Sequence, residues 1–468
     1  MYTYQDFLDD KNMRGAAEAA RQAISHYRAS EEFKIALDAD EYDRQRNVTI
    51  SRFIKKLYDS LGHEFEDRYS ASSKISSAFF PRLNTQRMTY SLGNGITFAE
   101  EGIEEKLGED FDTRFRTAAY YALIHGVSYL YWNVDHVHVY KATQFVPLWD
   151  EETGALMGGV RWWQVDPEKP VRAVLYELEG FTTLKGERDG SSLEVVADIR
   201  PYRTTIAKTA HDIEPEIVGE ENYNSLPIIP LYGSRLKQST LVGMQGAIDA
   251  YDLVRSGFAD DLQECAQIYW LLNNAAGMTE NDVARFRDKL KLTHIAVVPN
   301  ADEVSVVPYT QEIPYQARQA FLTDIKTGIY EDFGGMDVHS VSANATATEI
   351  NAAYQPLDEQ ADDFEYQLID AIQKLLELLG LKGTPLFKRN RISNQKEQTD
   401  MIMECSSVLD TETILNHLPF LTHDEVEEIM KRSEDEQLED FGFGQEEEEE
   451  PDEEPDEELE EEQEENEE

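Results

Sequence analysis

A chain of 468 residues, 41% of them hydrophobic, can bury several cores and is expected to hold two to four structural units. Lys and Arg number 43 against 93 Asp and Glu, a formal charge of minus 50; residues 434–468 carry 23 acids and no base, which leaves minus 27 on residues 1–433. Such a field repels nucleic acid over most of the surface and restricts any DNA contact to one that is local and weak, or purely geometric. Two cysteines, Cys265 and Cys405, show no pairing signature, so no disulfide is expected. The opening MYTYQDFLDDKNM has neither the basic nor the apolar part of a secretion signal, and no apolar run approaches the roughly 20 residues of a membrane span; neither secretion nor membrane insertion is expected.

In chain order, residues 1–70 read as polar helices forming a peripheral layer, with Ile50, Phe53, Ile54, Leu57 and Leu61 as a helical stripe. MTYSLGNGITF (88–98) places a Gly-Asn-Gly turn between apolar ends, and Phe111, Phe115, Ala119, Leu123 and Ile124 predict a helix ending near Gly126. Aromatic and β-branched runs at 127–133, 136–140, 144–149, 159–165, 171–178 and 194–202, with turns at Asp150–Gly154 and Glu179-Gly180, predict a mostly antiparallel meander. The fold class is α+β.

Residues 240–267 carry Met244, Ile248, Tyr251, Phe258, Leu262 and Cys265 at helical spacing, one narrow seam on a rod of roughly 42 Å at about 1.5 Å per residue. A single narrow seam wants neighbouring helices. Residues 268–308 read as a compact insert with strand-like ends, IYWLL and HIAVVP, around a short helix. A second helix follows over 312–333, with Pro314 in its first turn, where a missing N–H costs little. Between this rod and the next lies a run of small and polar residues, from Gly334-Gly335 to Thr346. Then Ile350, Tyr354, Leu357, Ala361, Phe364, Leu368, Ile372, Leu375 and Leu379 mark a long helix over 346–379, bent by Pro356. About three short helices are expected between Lys396 and Arg432, one opening on the capping box Thr422–Glu425, ahead of a solvated polyacid.

No phosphate-binding loop, nucleophile elbow, H-E-x-x-H or C-x-x-C motif occurs, so NTPase, hydrolase and zinc chemistries have no anchor and no enzyme, catalytic residue or cofactor is assigned. His136 and His138, two apart on a strand, would point the same way and could hold a metal with a third ligand; an exposed strand pair explains them better, and no metal site is assigned. Asp362, Asp363 and Glu365 flank the seam residue Phe364 and read as solvation. Cys265 reads as packing. Arg285, Arg287, Lys289 and Lys291 form the clearest basic cluster, either a solvated helix face or a contact for a partner or phosphate. Arg318 and Lys326, the few cations of the second rod, could touch a passing phosphate backbone or pair with neighbouring acids.

The order of these elements resembles the portal proteins of tailed double-stranded DNA bacteriophages, the SPP1-type group. The resemblance rests on YSLGNGITF (90–98), AAYYALIHGVSYLYWNVD (118–135), FVPLWDEETG (145–154), GAIDAYDLVRSGFADDLQ (246–263), ATATEINAAYQPLDEQADDFE (345–365) and LDTETILNHLPFLTHDEVEEIMKR (409–432), across most of residues 50–432. It implies a ring of about twelve copies around an axial channel. In this chain the implied parts are an α+β wing over 1–239, a stem of 240–267 and 309–334, and a small α/β clip at 268–308. A tunnel loop follows at 335–346, a kinked helix with wing return at 347–393, a helical crown at 394–433 and a disordered acidic tail at 434–468. The implied site residues are Asp337, Val338, His339, Ser340, Val341, Ser342, Asn344 and Thr346 against DNA, Arg318 and Lys326 on the stem, and the 285–291 cluster for partner docking.

The implied partners are double-stranded DNA, the terminase large subunit, head-completion or adaptor proteins, and major capsid and scaffolding proteins, in a virion assembled in the host bacterial cytoplasm; no membrane is involved. The rival expectation is an acidic DNA-mimic binding protein or chaperone for basic partners.

Overall fold

The computed structural model describes residues 2–58, 62–67, 70–207, 216–265, 269–273, 305–309, 315–337, 347–391 and 410–418, with isolated positions at 279, 281, 399, 402–404, 426 and 429–432. Two compact units divide the chain at Arg391 and Ile392.

The first unit opens with helices α1 (Tyr4–Arg14), α2 (Ala16–Ala29) and α3 (Glu31–Asp43). The first begins on a capping box between Thr3 and Asp6, and the third on the Ser30 side chain. These helices are covered on one face. Phe7, Ala19, Ala20 and Ala23 are fully buried against the antiparallel sheet of β6 (Phe145–Trp149), β7 (Leu156–Trp163), β8 (Arg172–Glu177), β9 (Gly180–Gly186) and β10 (Leu193–Arg200). The contacting face of α2 is alanine, which brings backbone close to sheet without announcing itself as an apolar stripe. The stripe expected from Ile50 to Leu61 also fails. Helix α4 (Val48–Arg52) stops after five residues, Phe53 and Ile54 are exposed, and the chain turns into a hairpin of β1 (Lys56–Tyr58) and β2 (Glu64–Glu66).

Helix α5 (Phe79–Leu92) ends on the Gly93-Asn94-Gly95 turn, and β3 (Ile96–Phe98) pairs with β16 (Pro385–Phe387). Past the short α6 (Ile103–Leu107), α7 (Phe111–His125) buries Phe115, Ala119, Leu123 and Ile124 and stops at Gly126, as the periodicity predicts. Gly126 is obligatory: its φ is +87° and a Cβ would lie 2.5 Å from the carbonyl carbon of Gln238. A three-stranded sheet of β4 (Val127–Asn133), β5 (His136–Lys141) and β13 (Ile228–Tyr232) follows. The strands β9 and β13 have no counterpart in the expected elements. Nor does the hairpin of β11 (Arg203–Ala207) and β12 (Glu216–Glu221); none of these runs, GFTTLKG, IIPLY, RTTIA and EIVGEE, alternates apolar with polar residues.

Long helices complete the unit: α8 (Leu241–Cys265), α9 (Tyr315–Phe333) and α10 (Ala347–Leu378), the last with Pro356 inside it, where the ring removes the N–H that would bond the carbonyl of Ala352. Between α8 and α9, β14 (Tyr269–Asn273) pairs with β15 (Ser305–Tyr309). HIAVVP and Pro314 lie outside the described residues. Phe364, Leu368, Ile372 and Leu375 of α10 are fully buried in the core with α7 and β4. In the second unit, α11 (Thr411–His417) is capped by the Asp410 side chain on the Thr413 N–H; the expected capping box at Thr422–Glu425 lies outside the described residues.

Two polar clusters tie helices together. Asp40 accepts hydrogen bonds from the buried His125, at 3.1 Å, and from Lys141, at 3.2 Å. Burial pushes the Asp40 carboxyl up, but these two partners outweigh it and hold it at about 2. Because the folded value is depressed, the stabilisation is complete above the ordinary carboxylate range and is lost as pH falls from about 4 through 2. Acid titration followed by thermal melting should therefore show Asp40→Asn losing less stability than the parent across that window. The expected difference is on the order of 1–2 kcal/mol after solvent screening.

The other cluster is a strap. Backbone N–H groups of Ser73, Ile75 and Ser77 donate in turn to Asp260, Ser256 and Asp252, residues one helical turn apart on α8. Asp252 is fully buried, also accepts from Asn47, and has its carboxyl pushed up by burial against the pull of those bonds. Replacing Asp252 with Ala leaves two buried donors unpaired; a loss of about 2–4 kcal/mol is expected by denaturant unfolding, and a loss below about 0.5 kcal/mol would contradict this role.

Candidate functional site

The paired rods are packed at one end and open at the other. Leu241, Met244 and Ile248 of α8 and Ile329, Tyr330 and Phe333 of α9 are buried together with Phe79, Phe80 and Leu83 of α5. Further along, the expected seam gives way: Leu262 is 55% exposed, as are Tyr315 at 54% and Phe321 at 46%. Phe258 meets Tyr315 with ring centroids 6.2 Å apart, and the buried inner positions are the polar Asp252, Ser256 and Asp260 that hold the strap. The Cys265 side chain lies outside the described residues.

Both rod cations are engaged within the chain. Arg318 pairs with Asp261 of α8 and lies over the Phe258 ring. Lys326 binds Asp337 at 2.7 Å, and that bond pushes its ammonium pKa up. Asp337 of the predicted loop thus has a defined partner. Val338, His339, Ser340, Val341, Ser342, Asn344 and Thr346 lie outside the described residues, as do Arg285, Arg287, Lys289 and Lys291.

The described root of the loop is held by α5, residues that sequence reasoning missed. Gly334 takes φ +65°, where a Cβ would meet the Gln360 side chain at 2.7 Å. Two residues on, the Gln86 amide grips Met336 through both backbone groups: Nε2 donates to the Met336 carbonyl at 2.9 Å, and Oε1 accepts from its N–H at 3.0 Å. Arg87 donates to the Phe333 carbonyl at 3.0 Å, with its guanidinium 4.5 Å from the Phe333 ring centroid. Burial lowers the Arg87 pKa to about 10, which leaves it charged at neutral pH. Asn84 accepts from Thr240 at the start of α8, and Tyr90 stacks on Tyr354 of α10 at 5.6 Å. One helix therefore holds the start of α8, the end of α9 and the first turns of α10. No local pattern marks these residues, because Arg82, Thr85, Gln86 and Thr89 make the same helix polar along most of its length.

The acids beside Phe364 are not merely solvated. Arg389 donates to Asp358 at 2.8 Å and to Glu365 at 2.9 and 3.0 Å, and also reaches Asp362. Arg391 pairs with Asp358, which also accepts from the Tyr90 hydroxyl at 2.6 Å. Asp363 accepts from the Arg235 backbone at 3.2 Å. The basic partners lie some 24–33 residues downstream, beyond any local pattern.

The Gln86 clamp is testable by hydrogen exchange. In Gln86→Ala the Met336 amide should exchange about 10-fold faster or more, with global melting shifted little, because two partly buried bonds of about 1 kcal/mol each at one loop root are removed. Unchanged exchange at Met336 would show that the clamp does not order the loop root.

The family model described as phage portal protein, SPP1 Gp6-like, matches residues 34–439. A portal protein of Clostridium phage phiCD119 is 28% identical over 224 residues, which is 46% of this chain and 49% of that protein, so the match spans about half the length of the curated relative. Among solved structures, the neck of an empty GTA particle computed with C6 symmetry aligns with a TM-score of 0.43 at 10% identity, covering 73% of this chain and 90% of the other. The neck of a native GTA particle computed with C12 symmetry gives 0.40 at 10% identity, covering 75% and 89%. With a family match that runs through the strapped helix α8, the anchored loop root and the helices on either side, this chain belongs to the SPP1 Gp6-like phage portal protein family.

Proposed function

We propose that copies of this chain close into a ring of about twelve at a capsid vertex, around a channel through which double-stranded DNA is packaged by a separate terminase motor and later ejected. The family match over residues 34–439 carries this reading. A single chain also leaves Leu262, Tyr315 and Phe321 exposed along α8 and α9, apolar surface that neighbouring rods in a ring would cover.

In this reading residues 337–346 form the collar that fits against DNA. A duplex moving through a channel meets a barrier at each retained phosphate contact, so an acidic wall with few free cations suits transport better than a basic one. Lys326 and Arg318 fit that requirement: each already holds a carboxylate, Asp337 or Asp261, and a phosphate must compete with it. Such contacts are transient by construction. The basic cluster at Arg285, Arg287, Lys289 and Lys291 is the docking site for the terminase large subunit or an adaptor. Residues 394–433 form the crown, and the acidic tail keeps unassembled subunits apart by charge, with capsid and scaffolding proteins as the remaining partners.

Mass measurement and imaging of the purified protein should give a ring near twelve chains, and reversing the four 285–291 charges should abolish terminase binding while leaving the ring intact. A monomer at high concentration would refute the ring, and terminase binding that survives the charge reversal would refute the docking site.

A further inference from the structure

The hairpin of β4 and β5 carries a pair of imidazoles whose arrangement the portal reading does not use. His136 and His138 sit two apart on β5 and so project from one face, and their Nε2 atoms lie 3.1 Å from each other. Asp135 accepts from Nδ1 of His136 at 2.5 Å. The proton on this ring is therefore at Nδ1, and Nε2 of the neutral ring presents a lone pair. The Asn133 side-chain nitrogen approaches Nε2 of His138 at 3.4 Å. Two ring nitrogens this close hold either a hydrogen or a metal ion between them.

The geometry points to a transition-metal site in which His136 and His138 bind one ion through Nε2 while Asp135 orients His136 from behind. For metal–nitrogen bonds of about 2.0–2.1 Å, two ligands on one ion stand about 2.9 Å apart at a right angle and about 3.4 Å at the tetrahedral angle, and the observed spacing falls between. The carboxylate–imidazole–metal relay is the usual way such a ring is fixed. A proton is the rival occupant, since an N–H of one ring donating to the other gives the same spacing. Imidazole donors favour Cu²⁺, Ni²⁺ or Zn²⁺ over hard, oxygen-seeking ions such as Mg²⁺. Access is open. His136 borders a cavity of about 290 Å³ shared with Gly108, Glu109, Asp110 and Arg114. Among the described residues no group of three or more His, Cys, Asp or Glu side chains is arranged as a metal cage, so water completes the coordination.

Copper electron paramagnetic resonance on the full chain separates this site from metal held by the acidic tail, because imidazole nitrogens split the signal and carboxylates do not. The parent should show a one-equivalent species coupled to two nitrogens, displaced by Zn²⁺ and not by Mg²⁺. His136→Gln or His138→Gln should lose the two-nitrogen pattern with circular dichroism unchanged, and Asp135→Asn should weaken binding about 10-fold. A copper signal of oxygen type only, or a two-nitrogen pattern that survives both histidine replacements, overturns the site and leaves the pair sharing a proton.

Discussion

The structure depends on the polar residues of one helix, which share a face with its buried aromatic and leucine side chains. Along α5, Asn84, Gln86, Arg87 and Tyr90 each bond a different element: the Thr240 hydroxyl ahead of α8, the backbone of the loop root at Met336, the backbone end of α9 at Phe333, and α10 through the Asp358 side chain. Helix ends arrive with unpaired backbone groups, and those ends are expensive to bury without partners. Gathering them on one helix lets three long helices converge in a core rather than at the surface. The apolar residues of the same helix, Phe79, Phe80 and Leu83, fill the space between those ends, so polar and apolar demands are met together.

The rods are secured in a second way that apolar seams do not supply. Along α8 the buried inner face changes from Leu241, Met244 and Ile248 to Asp252, Ser256 and Asp260, and an extended segment lies on the polar half with every second N–H captured. Extended chain offers its donors every second residue and the helix offers acceptors every turn, so the two repeats stay in step over this length. Lys55 completes the arrangement by pairing with Asp260 at 2.7 Å and donating to the Ala71 carbonyl at 2.6 Å. For a chain read as one segment of a ring, this leaves the apolar exterior of the rods free for neighbours, because the single chain does not consume it.

High net negative charge would ordinarily push helices apart, and the described acids show how that is managed. Asp358, Asp362 and Glu365 converge on Arg389, Asp40 on His125 and Lys141, and Asp261 on Arg318. The cations are few but placed where several carboxylates meet. This is why the charge count over residues 1–433 read correctly as acidic yet said nothing about which acids were solvated. The Asp362–Glu365 run was read as a wet face; its partner arrives from beyond the end of α10, and no window of local sequence contains both.

Periodicity and turn chemistry are local, and what they govern was legible in the residues alone: α7 with its stop at Gly126, strands β4 to β8, the extents of α8 and α10, and Pro356 inside the latter. The order of these elements was enough to suggest the portal family. The buried face of α2 is alanine and shows no apolar stripe, so its packing on the sheet is not legible in the residues, and β9 and β13 lack the apolar/polar alternation that marks a strand. The anchoring of the loop root was also beyond reach, since Gln86 and Met336 are 250 residues apart and meet only when α5 and α9 share a core. The sequence by itself determined the elements, their order and the acidity; the tertiary structure decided which buried donors met which acceptors, because that pairing depends on distances folding creates between residues far apart in the chain.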